Sequence, residues 1–192
     1  MKAARETWHP DLVDAGVKPD DIVVLDEFGS TTQMTRSSGR CPVGERLVAP
    51  VPHGHWKVLT TIAAMTTDGM LTAVTVDAAT DADVFRAFVR DALVPALRPG
   101  QLVVMDNLSS HKAAGVADLI EAAGCRVKYL PPYSPDLNPI ENAFSKIKAR
   151  LKSLAARTVE ALGQAVNDAV ASVTRSDAVG FFRHCGYAAT TS

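Results

Sequence analysis

Cysteine is scarce in this chain: Cys41, Cys125 and Cys185 are three scattered residues among 192, with no C-x-x-C pair. An odd, dispersed set argues against a disulfide framework and for reduced thiols in a cytoplasmic setting. Long apolar runs are missing. No stretch approaches the roughly 20 residues needed to cross a bilayer. The first twenty residues carry Lys2, Arg5, Glu6, Asp11, Asp14 and Asp20, so they lack the apolar core of a secretory leader. There is no internal repeat, no low-complexity tract and no surplus of charge. The net value of −1 is a mild argument against the strongly basic kind of nucleic-acid domain. The halves differ slightly: residues 1–100 hold ten Lys/Arg against thirteen Asp/Glu, and residues 101–192 hold ten against eight. That difference decides nothing by itself.

What is present is ordinary globular material, 47% hydrophobic and 21% charged, in a length that suits one domain with a real core. Residues 22–27, IVVLDE, read as a buried strand that ends in acids. Residues 29–46, rich in Ser, Thr, Gly and Arg, read as an exposed hairpin or long loop. Strands are expected at 57–65 and 70–77 with a T-D-G turn between them. A helix is expected to start at Thr80, with Asp83 three residues on, and to run to Pro95. A second buried strand, 101–105, ends at Asp106. A helix over about 110–123, with Ser109 as a possible cap, leads to a strand at 126–130. Two helices, 139–154 and 159–173, close the pattern, and FFRHCGY is expected to pack onto the sheet. Antiparallel strands followed by α/β crossovers predict a mixed sheet with helices on its faces. If the two apolar strands are neighbours, Asp26 and Asp106 emerge at one sheet edge.

Asn138, Pro139 and Glu141 make a strong helix start. Glu141 reads either as the reciprocal partner of a capping box or as a third carboxylate of a site. The helix carries Ile140, Phe144, Ile147, Leu151 and Leu154 as one apolar stripe. Lys148 and Lys152 share the flank of Glu141, whereas Lys146, Arg150 and Arg157 lie on the other side. Three converging carboxylates can hold Mg²⁺, a hard ion that takes oxygen ligands and phosphate oxygens. Two such ions about 3.5–4 Å apart stabilise the attacking and leaving oxygens of a phosphoryl displacement. Asn107 could orient a ligand or serve a turn. His111 could steady the site, touch DNA phosphate or simply pack. Arg36, Arg40 and Arg46 on the polar loop could grip phosphates, as could Lys146, Lys148, Arg150 and Lys152. His53 and His55 form at best a weak metal pair, and Trp56 reads as core or interface.

The runs VVLDEFG, PHGHWK, VVMDNLSSHK and LPPYSPDLNPIENAFSKIK, with FFRHCGY near the end, resemble bacterial insertion-sequence transposases of the mariner superfamily. The likeness extends from about residue 20 to 188, and 34 residues separate Asp106 from Glu141, the spacing of that branch. The resemblance implies a ribonuclease-H-like α/β fold, a mixed five-stranded sheet with helices on both faces. It implies Asp26, Asp106 and Glu141 as the catalytic metal ligands, and Asn107 and His111 remain candidates for a supporting role on their own chemistry. It further implies two Mg²⁺ ions, with Mn²⁺ able to substitute, and hydrolysis at a transposon end followed by strand transfer. The implied partners are double-stranded DNA, both transposon ends and target, and a second copy of the chain in a synaptic complex. Residues 1–20 are expected to be a lead-in or linker remnant, and 21–192 the catalytic domain. A separate N-terminal helix-turn-helix polypeptide would then supply end recognition, and the setting would be the bacterial cytoplasm, on the nucleoid when DNA-bound. Two other readings stay open: a non-catalytic DNA-binding or assembly partner of a split transposase, and a nuclease of RNA–DNA hybrids.

Overall fold

The computed structural model describes residues 2–188. Its centre is a five-stranded sheet: β1 (Ile22–Thr31), β2 (Val58–Thr66), β3 (Gly69–Val76), β4 (Leu102–Met105) and β5 (Arg126–Tyr129), in spatial order β3-β2-β1-β4-β5. β1, β2 and β3 pair antiparallel, whereas β1–β4 and β4–β5 are parallel. The mixed sheet follows from the connections. A two-residue turn joins β2 to β3, and helical crossovers deliver β4 and β5.

Alternation along the strands divides the core in two. Ile22, Val24 and Phe28 of β1 face one side with Leu102 and Val104 of β4. They pack against α5 (Pro139–Leu154), α6 (Val159–Ala171) and α7 (Arg175–His184). Val23 and Leu25 face the other side with Val103 and Met105, under α3 (Ala82–Phe88) and α4 (Val116–Ala122). Helices therefore cover both faces, as the sequence pattern predicts.

Several local expectations change. Asp81 rather than Thr80 caps α3, accepting from the backbone N–H of Asp83 and Val84. Past Phe88 the helix widens into a π turn, Val89–Leu93, and then tightens into a 3₁₀ turn, Val94–Ala96. The helix expected from 110 begins only at Val116. Gly115 sits before it at φ +85°, a left-handed conformation that interrupts helical propagation. Ser109 therefore lies in a run of turns and caps no helix. Helix α7 is not among the elements that the sequence pattern predicts. Its signal is Thr174-x-x-Asp177, which forms a reciprocal capping box.

The described residues before β1 are folded as well. They form α1 (Lys2–Glu6) and α2 (Trp8–Asp14), and Trp8 is only 2% exposed. The Trp8 indole N–H donates to the Tyr187 hydroxyl at 3.0 Å, so the two ends of the described chain share one core.

Candidate active site

The parallel register pairs Val24 with Val104, so two residues further on Asp26, midway along β1, stands level with Asp106, just past the end of β4. Both have the alternation phase of the α5 side. Across the cleft, α5 starts at Pro139 and brings Glu141 in its first turn. One cleft of about 390 Å³ is lined by Asp26, Asp106 and Glu141, together with Asn107, Asn138 and the loop 130–135. The three carboxylates that sequence places 80 and 35 residues apart thus share one depression.

The capping-box reading of Glu141 does not hold. Asn138 caps no helix with its side chain. Its amide donates instead to Oδ2 of Asp26 at 2.9 Å. Oδ1 of Asp26 accepts from the backbone N–H of Glu27 at 2.8 Å. Asp26 is 8% exposed, and burial pushes its carboxyl up to about 7. The Glu27 N–H bond opposes that rise, while the charges of Asp106, Glu141 and Glu27 add to it.

Asp106 experiences the opposite balance. Burial raises its carboxyl, but the bonds to His111 and to the Leu108 N–H outweigh it and hold the group below the ordinary carboxylate range. Nδ1 of His111 stands 2.6 Å from Oδ1 of Asp106, a close contact between the ring and the carboxylate. Nε2 of the same ring meets Oε2 of Glu27 at 2.8 Å. The imidazole is fully buried and lies 4.2 Å from the Phe85 ring. Burial alone would lower its pKa, but the two carboxylates prevail and raise it to about 9. Glu27 is the partner that sequence reasoning missed. No sequence signal marks it, since adjacent strand residues point to opposite faces and Glu27 therefore faces away from the Asp26 cleft.

The other expected site residues scatter. The Asn107 amide is committed to the Leu130 carbonyl, which ties the end of β4 to the loop after β5. Lys146 is taken by Asp177 in an ion pair at the start of α7, so it is no free phosphate contact. Arg36, Lys148 and Lys152 do come together, lining a groove with Ser37, Ser38, Ser145 and Ser153. Arg40, Arg46 and Arg150 are exposed and lie outside that groove. Among the described residues no group including His53 and His55 could hold a metal, and Trp56 is exposed rather than core.

The loop 131–138 is braced from both chain ends, which the sequence did not reveal. Arg5 reaches Asp136 with two bonds of 3.0 and 2.6 Å, Oγ of Ser134 at 2.8 Å and the Tyr133 carbonyl at 3.3 Å. The Tyr187 hydroxyl donates to the Leu137 carbonyl at 2.9 Å.

A family model described as DDE superfamily endonuclease matches residues 21–163. The chain belongs to the DDE superfamily endonucleases. No curated protein matches it. Among solved structures it is similar to the Mos1 strand transfer complex, with a TM-score of 0.73 and 18% identity over 96% of this chain and 57% of that one. It is also similar to the catalytic domain of Mos1 mariner transposase, with a TM-score of 0.62 and 18% identity over 96% and 84%. A third match is the Mos1 mariner paired end complex with Mn, with a TM-score of 0.67 and 16% identity over 95% and 57%. The chain thus spans somewhat over half the length of the Mos1 chains in those complexes. These likenesses establish the fold, the ribonuclease-H-like sheet that the resemblance led us to expect.

DDE endonucleases work with divalent metal, so the donor set must suit one. Among the described residues no three His, Cys, Asp or Glu side chains stand close enough to hold an ion as they are placed. The chemistry of the cleft nevertheless fits. All three carboxylates are hard oxygen donors, and the mutual repulsion felt by Asp26 is what a cation would relieve. Oδ1 of Asn138 adds a buried oxygen on the cleft wall with no hydrogen-bond partner. The residues fit Mg²⁺ or Mn²⁺.

Proposed function

We propose that this chain is the catalytic domain of a transposase, with Asp26, Asp106 and Glu141 as ligands of two Mg²⁺ ions that Mn²⁺ can replace. The observation that carries the reading is the single cleft lined by all three carboxylates, inside a family of endonucleases. When bound, the ions supply charge neutralisation for the attacking and leaving oxygens of a phosphodiester. The protein's share is placement. Asn138 and the Glu27 backbone orient Asp26, and His111 and the Leu108 N–H orient Asp106. Glu141 has no side-chain hydrogen bond among the described residues, which leaves both its oxygens available.

In this reading the substrate is double-stranded DNA. Hydrolysis at a transposon end frees a 3′-hydroxyl, which then attacks target DNA. Two copies acting in a synaptic complex, a separate helix-turn-helix polypeptide for end recognition, and a cytoplasmic, nucleoid-associated setting belong to the same proposal. No described helix is long and apolar enough to cross a membrane. DNA would run along the Arg36, Lys148 and Lys152 groove. Glu141, Ser145, Lys148 and Lys152 occupy one face of α5, so that groove continues from the carboxylate cleft.

The test is strand nicking of a supercoiled plasmid carrying the element's ends, with Mg²⁺ or Mn²⁺. Wild type should nick it, and Asp106→Asn should lower the rate at least a thousandfold, on the order expected when transition-state charge stabilisation is lost. Nicking that survives this substitution removes the metal mechanism. Salt-dependent binding without cleavage under both metals would leave only an assembly module.

A further inference from the structure

The connection from α5 to α6, residues 155–158, is shaped at a cost. Ala155 closes α5 at φ +52°, a left-handed conformation that glycine takes more cheaply. Two residues on, Arg157 reaches the root of the long segment 32–57. Its Nη1 donates to the carbonyls of Thr32 at 3.0 Å and Met34 at 2.9 Å, with a longer contact of 3.4 Å to the Ala156 carbonyl. The root is also closed from within. The Thr32 N–H donates to the Lys57 carbonyl at 3.1 Å, and the Lys57 N–H donates to the Thr32 hydroxyl at 3.2 Å. Residues 34–57 contain no helix or strand, so bonds of this kind decide where the segment lies. Arg36 follows Met34 by two residues, and two peptide units reach at most about 7 Å. The pinned carbonyl therefore limits where Arg36 can stand. It stands across the groove from Lys148 and Lys152 of α5. Lys148 is set from the sheet side, with Nζ 5.8 Å from the centroid of the Phe28 ring. Arg157 itself does not line the groove. Its bonds join the groove's two walls, the segment on one side and the end of α5 on the other.

We propose that Arg157 is a positioning residue for DNA: by pinning the root of segment 32–57 to the end of α5, it holds Arg36 opposite Lys148 and Lys152, where the three cations meet one phosphate backbone. This rests on the reading above that DNA runs along that groove. The physical reason is the cost of ordering. An arginine on an unpinned segment must give up backbone and side-chain freedom when it meets a phosphate, and that loss offsets the contact. A segment already fixed at its root has given up much of that freedom on folding. Arg157 thus acts through Arg36 and touches no phosphate.

The experiment measures binding of a fluorescent DNA duplex by anisotropy over a range of salt, without divalent metal so that no strand is cut. Arg36→Ala should weaken binding about fivefold near 0.15 M salt and lower the slope of log affinity against log salt by about 0.9, one phosphate contact's worth. Arg157→Ala should do the same, and the double variant should be no weaker than either single one, because both remove one contact. Thr158→Ala is the control. It removes the side-chain cap of α6 in the same connection, so it should lower the melting temperature and leave the slope alone. A second readout follows the segment directly. Cys41 is exposed while Cys125 and Cys185 are buried, so a nitroxide attaches at Cys41. Its spectrum should sharpen in Arg157→Ala and not in Arg36→Ala. A wild-type slope in Arg157→Ala, or an equal loss in Thr158→Ala, would overturn the proposal. Additive losses in the double variant would also overturn it, with Arg157 then a contact in its own right and the groove reading intact. Unchanged binding in Arg36→Ala would remove the groove reading and the proposal together.

Discussion

At His111 two carboxylates on opposite faces of one sheet meet a single ring. Removing it strands both, and Glu27 is largely buried while Asp106 is partly open to solvent. His111→Ala should therefore cost about 1–3 kcal/mol in chemical unfolding, the penalty of leaving buried polar groups unpaired. It should also weaken Mn²⁺ binding, measured calorimetrically, by about 10- to 100-fold, as loss of a ligand's supporting partner does. Unchanged metal affinity would reduce His111 to packing. Asp26 gives a pH prediction whose sign follows from its raised pKa. Folded protein binds its proton more tightly than unfolded chain does, so this group's stabilising contribution is complete below about pH 4 and fades as pH rises through about 7. Divalent ions compete with that proton. Added Mg²⁺ should raise the melting temperature more at pH 8 than at pH 5.5, and the reverse order would contradict the assignment of Asp26 as a ligand. Both aspartates were legible in the sequence as the first acid after an apolar run, although β1 continues past Asp26 to Thr31 while β4 does end before Asp106. Glu27 was not, because a strand's alternation shows which side a residue faces but not what waits there.

At the scale of elements, helix α7 depends on its first turn. Asp177 closes the capping box with Thr174 and holds Lys146, and these bonds, the Lys146 one foremost, draw its carboxyl down to about 2. A depressed acid stabilises above the ordinary carboxylate pKa and stops doing so as pH falls toward 2. Asp177→Asn should therefore flatten the acid limb of the stability curve between about pH 4 and pH 2, read by thermal melts. Thr174→Ala should cost about 1 kcal/mol. The sheet, its strands and α5 could be read from periodicity because each repeats one apolar spacing over several turns or pleats. Elements set by single residues could not. Gly115 delays α4 through a left-handed conformation, and α1 and α2 depend on Trp8 finding a seat beside Tyr187, 179 positions away. The same limit explains the Glu141 capping box: the motif was present, but Asn138 turned its amide to Asp26 instead.

For the whole molecule, the near-neutral charge conceals a local concentration. Arg36, Lys148 and Lys152 meet across a groove although the chain carries −1 overall. Each lysine changed to alanine should weaken oligonucleotide binding and lower the slope of log affinity against log salt by about 0.7–0.9, one phosphate contact's worth. Lys146→Ala, whose cation belongs to Asp177, should leave the slope alone while lowering stability. Strand β1 has a wider consequence. Asp26 and Glu27 are neighbours in the chain, yet alternation directs one to the cleft and the other to the opposite face. Frame within the strand is thus what assigns their jobs. Inserting one residue between Ile22 and Leu25 would keep every acid and every apolar side chain, yet invert which of them meets Asn138 and which meets His111. Substitution can tune this centre, but a change of length in β1 would dismantle it.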